Sequence, residues 1–247
     1  MASVNRVYSA LKGLVNKDQK GFVTPSIFNE FASVAQMNIY NRMFDEDRNA
    51  LRFRRAGLDA GRDFSKGKQI KEDLSSFVKK ADLTKVSDTF IKPSDLGRIV
   101  SMRTSSSFAT GTYSGNQISI LYNQDDIDRV LSSDLSKPSA DNPVALVSSE
   151  IEIFPTSVAS ISLRYYKLPE GINPTTGAKV AAQPSFGYSS AVPGVELYSP
   201  SSSIDFELPE THFVDLVVET AQLIGINLRD ADVVSYASSS IAKEESK

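Results

Sequence analysis

Few residues in this chain could carry chemistry. It has no cysteine and a single histidine, His212. Without cysteine there can be no disulfide, thiolate nucleophile or cysteine zinc site, and one histidine rules out a His-pair metal site. Asp215 follows His212 by one helical turn, which predicts an ion pair or hydrogen bond. A Ser–His–Asp site needs a nucleophile turn such as G-x-S-x-G, and the sequence has none, so we predict no catalytic residue and no enzyme.

The stretch NKDQKGFVTPSIF has the outline of a calcium-binding loop. Such a loop needs oxygen ligands at its positions 1, 3 and 5, glycine at 6 and glutamate at 12. Counted from Asn16, Lys20 and Ile27 stand where two of those ligands belong. We therefore predict that this stretch binds no calcium and joins two helices. No cofactor or metal is predicted elsewhere.

Two further clusters leave alternatives open. Asp125, Asp126 and Asp128 lie within one helical turn, where carboxylates either bind a hard cation or begin a helix. Tyr165 and Tyr166 stand at the end of a predicted strand. They stack at an interface, where tyrosine is enriched, or alternate between core and solvent.

A basic run, RNALRFRRAGLDAGRDFSKGK, covers the end of the second predicted helix and the stretch after it. It has three interpretations: a solvated face paired with the acids that intersperse it, salt bridges between subunits, or contacts with phosphate. The candidate interface or DNA-proximal residues are these cations together with the tyrosine pair. They are Arg52, Arg54, Arg55, Arg62, Lys66, Lys68, Tyr165 and Tyr166.

Helices are predicted at both ends of the chain. Apolar spacing predicts one over residues 3–16 and a second from Pro25 to about residue 57, with Thr24 as its N-cap and a break near Asp45 left open. A third stripe runs through residues 68–83. Near the other end, a helix begins at Pro209 and stops at Gly225, and a last one covers residues 229–247.

Between these helices the pattern changes to short β-favouring runs. They are LGRIVSMRTSSSF, NQISILYN, NPVALVSSEIEIFP and SVASISLRYYKLP, with a short helix at DDIDRVLSSD. Residues 169–203 are rich in proline, glycine, serine and threonine. A span of this length without secondary structure is a lid in an enzyme or an arm that reaches a neighbour in a ring.

We therefore predict an α+β fold with a helical core, built from N- and C-terminal helices, and an inserted small mostly-β module. The predicted parts are an N-terminal helical part (1–92), a β-rich module (93–168), an extended arm (169–208) and C-terminal helices (209–247). Net charge is −3 and no apolar run approaches the length of a membrane span, so neither nucleic acid nor a membrane is expected from composition. The N-terminus also lacks the apolar core of a signal peptide.

One stretch carries a resemblance. NKDQKGFVTPSIFNEFASVAQMNIYNRMF resembles an N-terminal segment of virion proteins from crAss-like phages of Bacteroidetes. The shared pattern is N-K-D-Q-x-G-[FY]-[IV]-[ST]-P, followed by F-N and A-Q-[ML] on a helix. A second stretch, FELPETHFVDLVVETAQLIGINLRD, resembles the closing helix of those proteins more weakly.

The resemblance implies a structural subunit of the head-to-tail connector, in the neck or collar of a tailed phage. Its partners would be other copies of itself in a ring of about twelve, the portal and other connector or tail proteins, with genomic DNA nearby. It would be assembled in the host cytoplasm and reside in the virion. A host-surface or tail-associated binding module is the alternative, and a virion enzyme ranks third.

Overall fold

The computed structural model describes residues 1–17, 23–55, 63–104, 115–192 and 195–228. Five α-helices lie in these ranges, together with eleven strands. The helices are α1 (Val4–Lys17), α2 (Pro25–Arg55), α3 (Asp63–Ser75), α4 (Gln124–Ser132) and α5 (Phe213–Leu228). The strands are β1 (Val78–Thr84), β2 (Leu96–Thr104), β3 (Gln117–Leu121), β4 (Val144–Val147), β5 (Ile151–Phe154), β6 (Ser160–Lys167), β7 (Gly171–Ile172), β8 (Lys179–Val180), β9 (Tyr188–Val192), β10 (Val195–Tyr198) and β11 (Asp205–Phe206).

The chain divides into two compact units. The first comprises residues 1–73 and the chain from Pro169 onward, and the second comprises Leu74–Leu168. The boundary predicted at residue 93 therefore lies inside the second unit.

In the first unit, α5 packs against α1 and α2. The buried face of α2 follows helical spacing. It includes Phe28, Ala32, Ala35, Ile39 and Met43. The helix is continuous through Asp45, and Thr24 Oγ1 accepts a hydrogen bond from the backbone N–H of Ile27 at 3.4 Å. The predicted N-cap of α2 is thus present.

Strands also belong to the first unit. Short β7, β8 and β11 form a three-stranded antiparallel sheet in the order β11-β7-β8, and β9 pairs with β10 as a hairpin. The backbone N–H of Ala2 donates to the Leu208 carbonyl at 3.0 Å, which fixes the start of α1 beside β11. Gly171 permits the close approach of β7 and β11, because a Cβ there would clash with the Ile204 side chain and lie 2.8 Å from the Ala182 carbonyl oxygen.

The second unit is one six-stranded sheet in the order β1-β6-β2-β3-β4-β5, with α4 as the crossover between the parallel strands β3 and β4. The sheet curls around an apolar core. Members of that core include Phe90, Met102, Ile118, Ile153 and Leu163. Phe90, beyond the end of β1, exchanges two backbone hydrogen bonds of 2.8 and 3.0 Å with Ile151 on the far edge strand. Ile127 of α4 is buried against Val144 and Leu146 in a separate cluster.

The predicted fold class is wrong. The described chain is mixed α/β with a curled six-stranded sheet, and it is not a helical core carrying a small mostly-β module. The first unit itself contains β7–β11, inside the span predicted as a structureless arm. These strands are two to five residues long, and β7 pairs with a segment more than thirty positions away. Strands this short show too little alternation to be recognised locally.

Candidate functional site

The predicted basic cluster lies mainly where the structure gives no side-chain positions. Arg52, Arg54 and Arg55 occupy the last turns of α2, and Lys66 lies in α3, but their side chains are outside the described residues. Arg62 and residues 18–22, in the stretch predicted to join two helices without binding calcium, also fall outside the described residues. Only the Lys68 side chain is described, and it lies exposed on α3, 3.7 Å from the Glu72 carboxylate. An exposed pair of this kind contributes little stability.

The two tyrosines occupy different environments. Tyr165 is 1% exposed, and its hydroxyl donates to Asp95 Oδ1 at 2.8 Å. Lys79 Nζ lies 2.6 Å from the other carboxylate oxygen of Asp95. Burial alone would raise the pKa of Asp95, but the hydrogen bonds from Lys79 and Tyr165 outweigh it and bring the pKa below its ordinary value. Tyr166 is half-buried, so the pair alternates along β6 as one of the two interpretations predicted.

The acidic cluster begins a helix. Asp125 and Asp126 lie in the first turn of α4, and Asn123 Nδ2 donates to Asp126 Oδ2 at 3.1 Å. Carboxylates in this position complement the helix dipole. Among the described residues, no group of three or more histidines, aspartates or glutamates is placed to hold a metal ion. Nor is any described helix long and apolar enough to cross a bilayer.

A buried polar bridge joins α2 to the segment that precedes α5. Gln36 and Glu207 are both 0% exposed. Gln36 Oε1 accepts the backbone N–H of Glu207 at 2.9 Å, and its Nε2 donates to the Glu170 carbonyl at 2.9 Å. One amide side chain thus holds two distant backbone segments, the farther of them 171 positions away.

The Glu207 carboxylate extends this bridge. Its Oε2 accepts the backbone N–H of Glu170 at 2.9 Å, and its Oε1 lies 2.7 Å from Lys179 Nζ. Gln36, Glu170 and Glu207 therefore bind one another in a closed set of hydrogen bonds, and Lys179 of β8 supplies a counter-charge. A buried carboxylate is stabilised only when it is paired in this way. We call these four residues the Gln36 bridge.

A second amide of α2 repeats the pattern. Asn29 Oδ1 accepts the backbone N–H of Phe186 at 2.7 Å, and Asn29 Nδ2 donates to the Phe186 carbonyl at 3.2 Å. Both polar atoms of the side chain are used on one backbone residue. The segment before the β9–β10 hairpin is thereby fixed to α2.

An aromatic row anchors the hairpin itself. Tyr8 of α1 lies with its ring centroid 4.4 Å from that of Phe186, and Phe186 lies 5.4 Å from Tyr198 of β10. The Tyr8 hydroxyl contacts the Val23 carbonyl and Glu196 Oε2, each at 3.0 Å. Burial and the nearby carboxylate raise the pKa of Tyr8, so its hydroxyl remains a donor. Tyr188 and Leu197 of the same hairpin are 47% and 54% exposed.

His212 lies between two carboxylates, and the predicted contact with Asp215 is present. Nδ1 is 2.9 Å from Asp215 Oδ2, and Nε2 is 3.2 Å from Asp73 Oδ2. Burial lowers the pKa of His212, but the hydrogen bond and charge of Asp215, together with Asp73, outweigh it and raise the pKa above its ordinary value. Both ring nitrogens face carboxylate oxygens, so the arrangement is that of a charged clamp.

No family model matches the chain. Curated proteins give no match either.

Sequence reasoning did not find the Gln36 bridge. Its one visible signal is Gln36 itself, which lies beside Ala35 and Ile39 on the apolar face of α2, where a polar side chain needs a buried partner. Glu207 gives no such signal, because it alternates with Phe206 and Leu208 and would be expected to face away from them, yet all three are buried. Its burial follows from the pairing of β11 with β7.

Proposed function

We propose that this chain is a structural subunit of a tailed-phage virion. In this proposal copies form a homo-oligomeric ring in the portal–tail connector, around the DNA passage. The partners are further copies, in a ring of about twelve, the portal and other connector or tail proteins. The role is assembly, without a catalytic step, in a particle put together in the host cytoplasm.

The observation that carries this proposal is the Gln36 bridge. Gln36 belongs to the A-Q-M of the first stretch that resembles crAss-like phage virion proteins, and Glu207 belongs to the second stretch, FELPETH. Side chain and backbone of these two stretches bind each other at 2.9 Å in a fully buried setting. Asn29, in the F-N of the same pattern, fixes the segment at Phe186. The polar residues of the pattern therefore have a structural reason to be there: they build one unit from both stretches.

The α2–α5 pairing extends this support. Asn38 Nδ2 donates to Glu219 Oε1 at 2.8 Å, and Arg42 lies 3.7 Å from Glu219 Oε2. Glu219 belongs to the second resembling stretch. Both stretches thus contribute helices that pack against each other.

The β9–β10 hairpin is the surface we assign to contact with a neighbouring copy. Its base is fixed by Phe186 and Tyr198, while Tyr188 and Leu197 present apolar surface to solvent. A rigidly anchored element loses little entropy on binding, which favours its use as a contact.

Sedimentation velocity and negative-stain imaging of the purified chain test the proposal. We expect ring-shaped particles and a sedimenting species many times the 26.9 kDa of one chain. Leu197→Lys should reduce the assembled fraction at least tenfold. Leu135→Lys is the matched control, since Leu135 is a leucine 97% exposed in the second unit, and it should assemble normally. If the chain sediments as a monomer at every concentration, the proposal that it forms a ring is wrong, and the alternative of a binding module is favoured. If the Leu197→Lys variant still forms rings, only the assignment of the β9–β10 hairpin as the contact surface is refuted.

A further inference from the structure

The His212 clamp connects two helices that are far apart in the sequence. Asp73 lies in the last turn of α3, and Asp215 lies in the first turn of α5, directly after the short 3-10 turn Glu210–His212. The imidazole ring between them is 17% exposed, and the carboxylates are 15% and 24% exposed. His212 therefore links the last turn of α3 to the first turn of α5.

This geometry requires a proton. A neutral imidazole has one N–H and one bare nitrogen, whereas both of its neighbours here are carboxylates that can only accept while ionised. With the ring protonated, Nδ1 donates to Asp215 and Nε2 donates to Asp73. After loss of the proton, one nitrogen lone pair faces an oxygen lone pair, and the two carboxylates lose the positive charge that lay between them.

The helix dipoles of α3 and α5 both disfavour the charges of the clamp. A cation before the first turn of α5 and an anion in the last turn of α3 are each on the unfavourable end of a helix dipole. The charged groups that act on His212 are Asp215 and Asp73. The adjacent Glu210 carboxylate is paired with Arg6 of α1. The protonated His212 ring is therefore stabilised by its two carboxylate neighbours and not by the helix dipoles.

We propose that His212 is a pH-operated clasp, which holds the last turn of α3 to the start of α5 while its ring is protonated and releases that turn when the proton leaves. Asp73 is the last residue of the first unit before the chain passes into the second. The clasp thus controls the order of the helix end from which the chain leaves the first unit.

The sign of the pH dependence follows from linkage. The pKa of His212 is raised in the folded protein. The clasp's contribution to stability is fully present below the ordinary histidine pKa of about 6.5 and is lost as pH rises through the higher folded value. Alkaline conditions therefore open it.

NMR of the imidazole nitrogens gives a direct test, because the chain has one histidine. We expect a single titration with a pKa above about 6.5, lowered by Asp73→Asn and by Asp215→Asn. Asp134→Asn, which changes an exposed acid in the second unit, should leave the titration unchanged. A wild-type pKa at or below the ordinary value would overturn the clasp, whether or not the variants fold.

Hydrogen exchange then tests release. Protection factors of the amides at residues 72–75 should fall as pH rises, with their midpoint at the pKa of His212, while those of α1 stay level. Linkage requires the ratio of the two plateaus to equal ten raised to the difference between the clasped and released pKa values. His212→Gln should abolish the pH dependence. Protection at residues 72–75 that does not change with pH in the wild type would refute the clasp as a switch.

Discussion

Replacing Gln36 by leucine removes the amide of the Gln36 bridge while keeping the volume of the side chain nearly constant. The Glu207 N–H is buried, and the Glu170 carbonyl is partly buried. A buried donor or acceptor left without a partner costs about 1–3 kcal/mol, and a partly solvated one costs less. Together the two groups predict a loss of about 2–4 kcal/mol in the free energy of unfolding, which is a large share of the roughly 5–15 kcal/mol typical of a domain.

Urea denaturation followed by far-UV circular dichroism measures this loss. Helices α1, α2 and α5 lie in the first unit, so the helical signal reports mainly on the unit that holds the bridge. Gln124→Leu is the matched control, because Gln124 is exposed at the start of α4 in the second unit, and it should change stability by less than about 0.5 kcal/mol. If Gln36→Leu changed the free energy of unfolding by no more than this control, the bridge would not hold the two resembling stretches together. The main support for the proposed function would then be lost.

Three further substitutions, one of them with a matched control, test the packing of the first unit. Gly171→Ala should prevent correct folding, because its Cβ would clash with Ile204. As the control, Gly13→Ala on α1 meets nothing within 4 Å and should stabilise the protein by about 0.5–1 kcal/mol in the same urea denaturation. Equal effects of the two substitutions would contradict the close contact between β7 and β11. Phe28→Ala should cost about 3–5 kcal/mol by urea denaturation, since Phe28 is 0% exposed and its ring meets that of Tyr8 at 5.2 Å. A cost below 1 kcal/mol would place Phe28 outside the core. Tyr8→Phe should cost about 1 kcal/mol by removing the hydroxyl contacts while keeping the ring, and no change in the melt would mean that those contacts add nothing.

Local signals predicted much of the secondary structure. The helices at residues 4–17 and 25–55, the strands β2–β6 and the short helix α4 lie where the apolar spacing and flanking glycines, prolines and asparagines indicated. Each of these elements carries its period over enough residues, or has clear enough boundaries, for the pattern to be read without knowledge of partners.

Elements that depend on distant partners were mispredicted. The stripe through Leu74 and Phe77 predicted a helix to residue 83, but α3 ends at Ser75 and β1 pairs with β6, with Val78 opposite Tyr166. Gly225 was predicted to stop the last long helix, yet it is buried within α5, which continues to Leu228. In both cases tertiary contacts outweigh local preference.

In the first unit the N- and C-terminal helices pack against each other, but helical spacing did not identify which rings meet. α2 packs against α5. Phe28, however, meets Tyr8, while the Phe213 ring lies 4.7 Å from the Arg6 guanidinium carbon. Helical spacing defines which face is buried, but it does not define which ring on a neighbouring helix fills the space opposite. The Asp73 side of the His212 clamp was missed for the same reason.

The curled sheet of the second unit has a consequence for aggregation. An edge strand with unpaired backbone groups is a template for pairing with another chain. Here β5, at one edge, is capped through Ile151 by the two hydrogen bonds to Phe90. Strand β1, at the other edge, carries consecutive lysines, Lys79 and Lys80, and both are exposed. One edge closed by backbone hydrogen bonds and the other carrying charge therefore disfavour edge-to-edge pairing between copies of the chain.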